Sequence, residues 1–109
     1  MKDENRKYVE YVAKVIETYA SGIVKEEGEI KSLYDWIDEE ALDFEFVVNR
    51  DKRLLSAKIF VTLGGPTVWI DTAAKAVKLA WGGNYAEYPI AEDAAEQLND
   101  IMVDIYINI

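Results

Sequence analysis

The chain has 109 residues, half of them apolar, and carries 21 acidic against 12 basic side chains, for a net charge of −9. It contains neither cysteine nor histidine, which excludes disulfides, thiolate or imidazole metal ligands, and a cysteine or Ser-His-Asp nucleophile within the chain. The length predicts one domain, 1–109, and the negative charge argues against direct binding to nucleic acid or to an anionic membrane.

A long amphipathic helix is predicted first, from about Asp3 to Glu27, and Gly28 is expected to end it. A shorter helix is predicted from Ile30 to Glu40. Within it, Ser32 followed by Asp35 has the spacing of a capping box. The apolar stripe of the long helix comprises Tyr8, Val12, Val15 and Tyr19, widened by Val9, Ile16 and Ile23. The apolar face of the short helix comprises Ile30, Leu33, Tyr34 and Ile37.

From Leu42 onward the apolar residues alternate, which predicts strands. Four strands are expected, joined by turns at Asn49–Lys52, at Gly64–Pro66 and at Asp71–Lys75: Leu42–Val47, Leu54–Leu63, Thr67–Asp71 and Val77–Trp81. The extended piece Tyr85–Ile90 is a candidate for a short additional edge strand, since proline is tolerated at sheet edges.

The last element is a helix from Ala91 to about Ile105, whose core stripe comprises Ala94, Ala95, Leu98, Ile101, Met102 and Ile105. Strands joined by short turns and flanked by helices predict an α+β fold. We expect a four-stranded antiparallel meander with an N-terminal helix, a short second helix and a C-terminal helix packed on the sheet.

Charge is strongly segregated along the chain. Residues 26–45 hold nine acids and one base, and residues 84–109 hold six acids and no base, whereas residues 46–83 hold two acids and six bases. In the last helix Glu92, Glu96, Asp100 and Asp104 are spaced four residues apart, which places their carboxylates along one side. Like charges at this spacing destabilise a helix by about 0.2–0.5 kcal/mol per pair.

Three interpretations of these acids stay open: a solvated helix face, a surface that meets a basic partner or imitates nucleic-acid phosphates, and a cation site. If both acidic helices turn their carboxylates outward together, they form one continuous negative patch. Exposed aromatics on the extended piece would then anchor a partner. The candidate partner-binding residues are Asp35, Asp38, Glu39, Glu40, Glu92, Glu96, Asp100, Asp104, Tyr85 and Tyr88.

No motif predicts catalysis, a metal site or a cofactor. Gly64-Gly65-Pro66 lacks the Lys-Ser/Thr and the helix that follow a phosphate-binding loop, so we interpret it as a tight turn. The charged N-terminus leads into no apolar run of signal-peptide type, and no stretch approaches the ~20 apolar residues that span a bilayer. A cytoplasmic, non-enzymatic protein without a cofactor is therefore expected.

Three stretches, followed by the acidic closing helix, carry a resemblance: Leu63–Thr72 (LGGPTVWIDT), Val77–Gly83 (VKLAWGG) and Ala86–Ile90 (AEYPI). Through them the C-terminal half resembles a group of small acidic proteins carried by bacteriophages and mobile elements of gut and Gram-positive bacteria, a group with no assigned activity. The resemblance implies no site residues. In character such proteins are similar to phage inhibitors that block the nucleic-acid-binding sites of host defence proteins.

The leading hypothesis is therefore a non-enzymatic binding protein that presents its acidic surfaces to a basic, nucleic-acid-binding surface of a host protein. Two alternatives are a small-ligand or cation-binding module that uses the sheet face and its aromatics, and a homodimeric structural protein that associates through an edge strand at Tyr85–Ile90.

Overall fold

The computed structural model describes residues 2–22, 24–26 and 29–109, which form three α-helices and two antiparallel sheets. In chain order the elements are α1 (Lys2–Ala20), β1 (Val24–Glu26), β2 (Glu29–Lys31), α2 (Leu33–Glu40), β3 (Asp43–Val48), β4 (Leu54–Thr62), β5 (Thr67–Asp71), β6 (Ala76–Trp81), β7 (Asn84–Pro89) and α3 (Glu92–Ile107). The predicted α+β class is confirmed.

The main sheet has five strands in the order β3-β4-β5-β6-β7, so the prediction of four strands is wrong. The candidate edge piece pairs with β6 along its whole length, from Trp81↔Asn84 to Ala76↔Pro89. Gly82 and Gly83 both have positive φ, 56° and 81°, as a tight two-residue hairpin requires. Pro89, which has no N–H to donate, ends this edge strand.

Residues paired directly across antiparallel strands share one face of the sheet. One face, the core face, carries a continuous apolar row across all five strands: Phe44–Ile59–Ile70–Val77–Tyr88. The opposite face, the open face, carries a mixed row in the next register: Asp43–Phe60–Trp69–Lys78–Glu87. Ile59, Ile70 and Val77 are fully buried, which contributes about 1.5–3 kcal/mol for each side chain.

The buried side chains of the three helices join the core face in one cluster. From α1 it takes Val9, Val12, Ala13 and Ile16; from α2, Leu33 and Ile37; from α3, Ala94, Leu98 and Met102. The predicted stripe of α1 is therefore rotated. Tyr8 lies at its exposed flank, and Ala13, which the prediction left out, lies in its centre.

The N-terminal helix ends at Ala20, earlier than the predicted Glu27. Beyond it, the segments β1 and β2 pair as a short antiparallel hairpin, Val24↔Lys31 to Glu26↔Glu29, and Gly28 lies outside the described residues. Gly22 lies two residues beyond the end of the helix, and glycine costs about 1 kcal/mol in a helix interior. The predicted start of the second helix at Ile30 is corrected to Leu33, because that stretch pairs in the hairpin.

The capping box at the start of α2 is confirmed. Asp35 N–H donates to Ser32 Oγ over 3.2 Å, and Ser32 N–H donates to Asp35 Oδ2 over 2.8 Å. The first turn of α3 is capped differently, since Ala91 has no side chain that could accept a hydrogen bond. Instead Ala91 N–H donates to Glu17 Oε2 of α1 over 2.9 Å. The amide of Gln97 donates to Ala20 O over 2.8 Å, so polar contacts join α1 to α3 beside the apolar core.

The predicted turns at Asn49–Lys52 and Asp71–Lys75 are confirmed, and in each the first side chain accepts hydrogen bonds from the turn backbone. Asn49 Oδ1 accepts from the N–H groups of Asp51 and Arg53 at 3.0 and 2.9 Å. Asp71 Oδ1 accepts from those of Ala73 and Ala74 at 3.0 and 3.1 Å. Each turn places a lysine, Lys52 or Lys75, at positive φ at its end. The second turn presents Lys75 to the start of α3.

The two leucines at positions 98 and 55 provide a matched test of this packing. Leu98 is 1% exposed and Leu55 is 60% exposed. Leu98→Ala should lower the free energy of unfolding by about 2–5 kcal/mol, because it opens a cavity beneath α3. Leu55→Ala should change it by less than about 0.5 kcal/mol. Urea unfolding followed by circular dichroism measures both, and equal losses would contradict the placement of α3 on the core face.

Candidate functional site: the carboxylates of the second and third helices

The carboxylates of α3 lie on the side of the helix opposite its buried stripe. Glu92, Glu96, Asp100 and Asp104 are all exposed, as their spacing predicts. Glu92 forms an ion pair with Lys75 Nζ at the β5–β6 turn. The hydrogen bond to Glu92 and its charge raise the pKa of Lys75, with a smaller contribution from Glu96. The first carboxylate of the row is thus neutralised by a lysine of the meander.

Further along α3 the negative charge is not compensated. Within the described part of the chain, no ion pair reaches Glu96, Asp100 or Asp104. Glu96 and Asp100 border a shallow groove of about 440 Å³ between α3 and the β5–β6 turn. This α3 groove is lined by Leu55, Thr72, Ala73, Lys75, Ala95, Glu96, Asn99 and Asp100. The exposed side chain of Leu55 gives it an apolar wall beside the acidic rim.

Asp104 connects the two acidic helices. Its Oδ2 accepts a hydrogen bond from Tyr34 Oη of α2 over 3.0 Å, and its backbone oxygen accepts one from Asn108 Nδ2 over 2.7 Å. The hydrogen bond to Asp104 is the main cause that raises the pKa of Tyr34; desolvation and the charges of Asp104 and Asp38 raise it further. The charges of Asp38 and Asp104 therefore both raise the pKa of the Tyr34 hydroxyl. The acidic surface continues from α3 onto α2 at this point.

The remaining candidate acids of α2 do not join this surface. Asp35 is occupied in the capping box, where the hydrogen bonds from the backbone and hydroxyl of Ser32 lower its pKa. Glu39 pairs with Lys31 at 2.9 Å. Glu39 and Glu40 both line a groove against α1, away from Tyr34. The single continuous patch expected from the sequence is thus reduced to Asp38, Glu96, Asp100 and Asp104, which we call the acidic strip.

The two candidate aromatics of the edge strand point to opposite faces. Tyr85 pairs with Ala80 on the open face and is 55% exposed, as predicted. Tyr88 pairs with Val77 on the core face and is half-buried, with Lys14 Nζ lying 5.8 Å from its ring centroid. The prediction of an exposed Tyr88 is wrong, because residues three apart in a strand lie on opposite faces.

A second concave region was not predicted from the sequence. Two adjoining cavities of about 370 and 120 Å³ lie between α1 and α2 and share Tyr11, Val15, Trp36 and Glu40. We call this the α1–α2 groove. The one signal in the sequence was that the apolar and aromatic residues of the first helix cover more of its circumference than one buried stripe needs.

Among the residues searched, no group of three or more acidic side chains is placed so that it could hold a metal ion. Within the same described part of the chain, no helix is both long and apolar enough to cross a membrane. Comparisons with protein-family models, with curated proteins and with solved structures give no match to this chain.

The contact between Tyr34 and Asp104 predicts how Tyr34 titrates. Asp104→Ala should return the pKa of Tyr34 toward its ordinary value of about 10, because it removes the main cause of the upward shift. The contact's contribution to stability is fully present below that ordinary pKa and is lost as the pH rises through the raised pKa. NMR of ¹³C-labelled tyrosine measures the titration.

Asp93→Ala is the matched control, since it removes an exposed carboxylate at the other end of the same helix. It should leave the titration of Tyr34 unchanged. An identical pKa of Tyr34 in the wild type and in Asp104→Ala would show that the charges of α2 and α3 are not coupled, and that the acidic strip ends at Asp100.

Proposed function

We propose that this protein is a non-enzymatic acidic binding protein that uses the acidic strip to occupy a basic, nucleic-acid-binding surface of another protein. Some inhibitors of host defence carried by phages and mobile elements act in this manner, and the group that the C-terminal half resembles is similar to them in size and acidity. The observation that carries the proposal is the run Glu96–Asp100–Asp104, which makes no ion pair among the described residues, on a helix that contains no basic residue.

The free energy that like charges along α3 cost the helix supports a role in binding. Two successive like-charge pairs within α3 each destabilise the helix by about 0.2–0.5 kcal/mol, and Asp104 lies near the C-terminal, negative end of the helix dipole. Among the described residues, Lys75 of the neighbouring meander pairs with Glu92, but no lysine pairs with the next three carboxylates. A stable, merely solvated helix face is more commonly built with both signs of charge.

The geometry of the strip resembles an interface rim more than a small-molecule pocket. The α3 groove is shallow, and Leu55 is the only large apolar side chain among its described lining residues. Such a surface would act through electrostatic steering, which accelerates association with a basic partner and is weakened by salt. The exposed leucine would add a local apolar contact once the partner is bound.

The triple charge reversal Glu96→Lys, Asp100→Lys, Asp104→Lys tests this proposal. Immobilised protein is exposed to bacterial lysate, and the captured proteins are identified by mass spectrometry and eluted with salt from roughly 0.05 to 0.5 M. The wild type should capture basic nucleic-acid-binding proteins, and duplex DNA should displace them. The reversal should weaken capture by about tenfold or more while the domain stays folded.

A control must change the net charge equally without touching the strip. Glu4→Lys, Glu10→Lys, Asp51→Lys alters three exposed carboxylates that make no ion pair among the described residues. This control variant should retain most of the capture. Equal capture by the wild type and the strip variant, or capture that is insensitive to both salt and DNA, would overturn the proposal.

A second candidate function, homodimerisation, is supported by the position of β7 at the edge of the main sheet. An edge strand presents unpaired backbone groups to which a second copy could add a strand. The backbone N–H of Glu87 points away from β6, since N–H groups alternate in direction along a strand and that of Ile90 donates to Lys75 O. Glu87→Pro, which removes that N–H, should then convert a dimer into a monomer, as measured by light scattering. A wild-type protein that is monomeric at millimolar concentration would exclude this candidate.

A further inference from the structure

The α1–α2 groove is the second concave surface that carries uncompensated negative charge. It lies between the exposed flank of α1 and the second helix, and it shares none of its lining residues with the α3 groove. Aromatic side chains dominate its walls: Tyr8, Tyr11, Tyr19 and Trp36. The proposed function makes no use of this region.

Its aromatic rings are arranged in two pairs. The rings of Tyr8 and Tyr11 are stacked, with centroids 6.4 Å apart and planes at 26°. The rings of Tyr19 and Trp36 are also 6.4 Å apart, tilted by 37°. Tyr11 is 63% exposed although it adjoins the core helix stripe. An exposed tyrosine beside a half-buried tryptophan is typical of the anchor residues at protein interfaces.

The charges around the rings determine which occupant fits. Of the two carboxylates that line the groove, Glu39 is paired with Lys31, whereas Glu40 is exposed and has no ion pair among the described residues. Lys14, the one basic side chain among the described residues of the lining, lies 3.7 Å from Glu17 and over the ring of Tyr88. Aromatic faces together with an unpaired carboxylate favour a cation.

We propose that the α1–α2 groove binds an arginine side chain of a basic protein partner, with the guanidinium stacked on the rings of Tyr11 and Trp36 and Glu40 as its counter-ion. A planar guanidinium fits such a site better than an ammonium does, because it stacks on aromatic faces, is more weakly hydrated, and offers several N–H donors to one carboxylate. The aliphatic stem of arginine would lie against Val15 and Tyr11.

The probe for this proposal is acetyl-arginine amide, compared with acetyl-lysine amide and with acetyl-citrulline amide. Citrulline keeps the shape of arginine but is neutral. Binding to the full chain is followed by ¹⁵N NMR in 0.15 M salt, where the Debye length of about 8 Å weakens long-range attraction to other carboxylates. Saturable shifts are expected at the indole N–H of Trp36 and at the amides of Tyr11 and Glu40.

Two variants examine the contacts separately. Tyr11→Ala and Glu40→Gln should each raise the Kd of acetyl-arginine amide by about two- to fivefold, the range for one exposed cation–π or ion-pair contact. Tyr85→Ala and Glu87→Gln are the matched controls, since both residues are exposed and lie on β7, outside the groove. They should leave the Kd unchanged, and so should the triple reversal in the acidic strip.

The outcomes separate this inference from the proposed function. Arginine binding that survives the triple reversal and weakens in Tyr11→Ala supports the groove even if the acidic strip binds nothing. Three outcomes would overturn the groove proposal: shifts confined to the amides of α3, equal shifts with acetyl-citrulline amide, or an unchanged Kd in both groove variants. Trp36→Phe is added as a second ring variant, with its thermal unfolding measured so that loss of fold is distinguished from loss of binding.

Discussion

The structure depends on the burial of one continuous apolar row across five antiparallel strands beneath α1 and α3. Phe44, Ile59, Ile70, Val77 and Tyr88 stand opposite one another from edge to edge, and the two long helices contribute their buried stripes to the same cluster. Because side chains alternate along a strand, the same register sends the charged residues of the meander to the other face. The acidic strip and the α1–α2 groove are formed by side chains that this packing does not bury.

That packing gives acidic residues that look alike in the sequence different surroundings. The turn between β5 and β6 places Lys75 against Glu92, the hairpin of β1 and β2 places Lys31 against Glu39, and the helix cap occupies Asp35. Asp38, Glu96, Asp100 and Asp104 are left without such partners among the described residues. The acidic strip and the α1–α2 groove are thus two separate surfaces with different chemistry, one a row of carboxylates and the other aromatic with a single unpaired carboxylate.

Sequence reasoning was most accurate where the signal is local. The capping box of Ser32 and Asp35, the side-chain-stabilised turns at Asn49 and Asp71, and the alternation of β4 each depend on residues a few positions apart. It was least accurate at boundaries that a distant element sets. The first helix stops at Ala20, and Val24–Glu26 pairs with Glu29–Lys31 instead of extending it. The N–H of Ala91, at the start of α3, is bound by Glu17, 74 residues earlier in the chain.

The sequence by itself determined the α+β class, the burial of the C-terminal helix stripe and the exposure of its carboxylates, since periodicity decides which residues lie together on one element. Only the tertiary structure decided that β7 is a full strand, that Tyr88 faces inward, and that Tyr34 links Asp38 to Asp104. It also decided which carboxylates have a lysine beside them. The reason is that contacts between elements depend on sheet register and on the rotation of each helix about its axis, and neither is specified by the spacing of residues within one element.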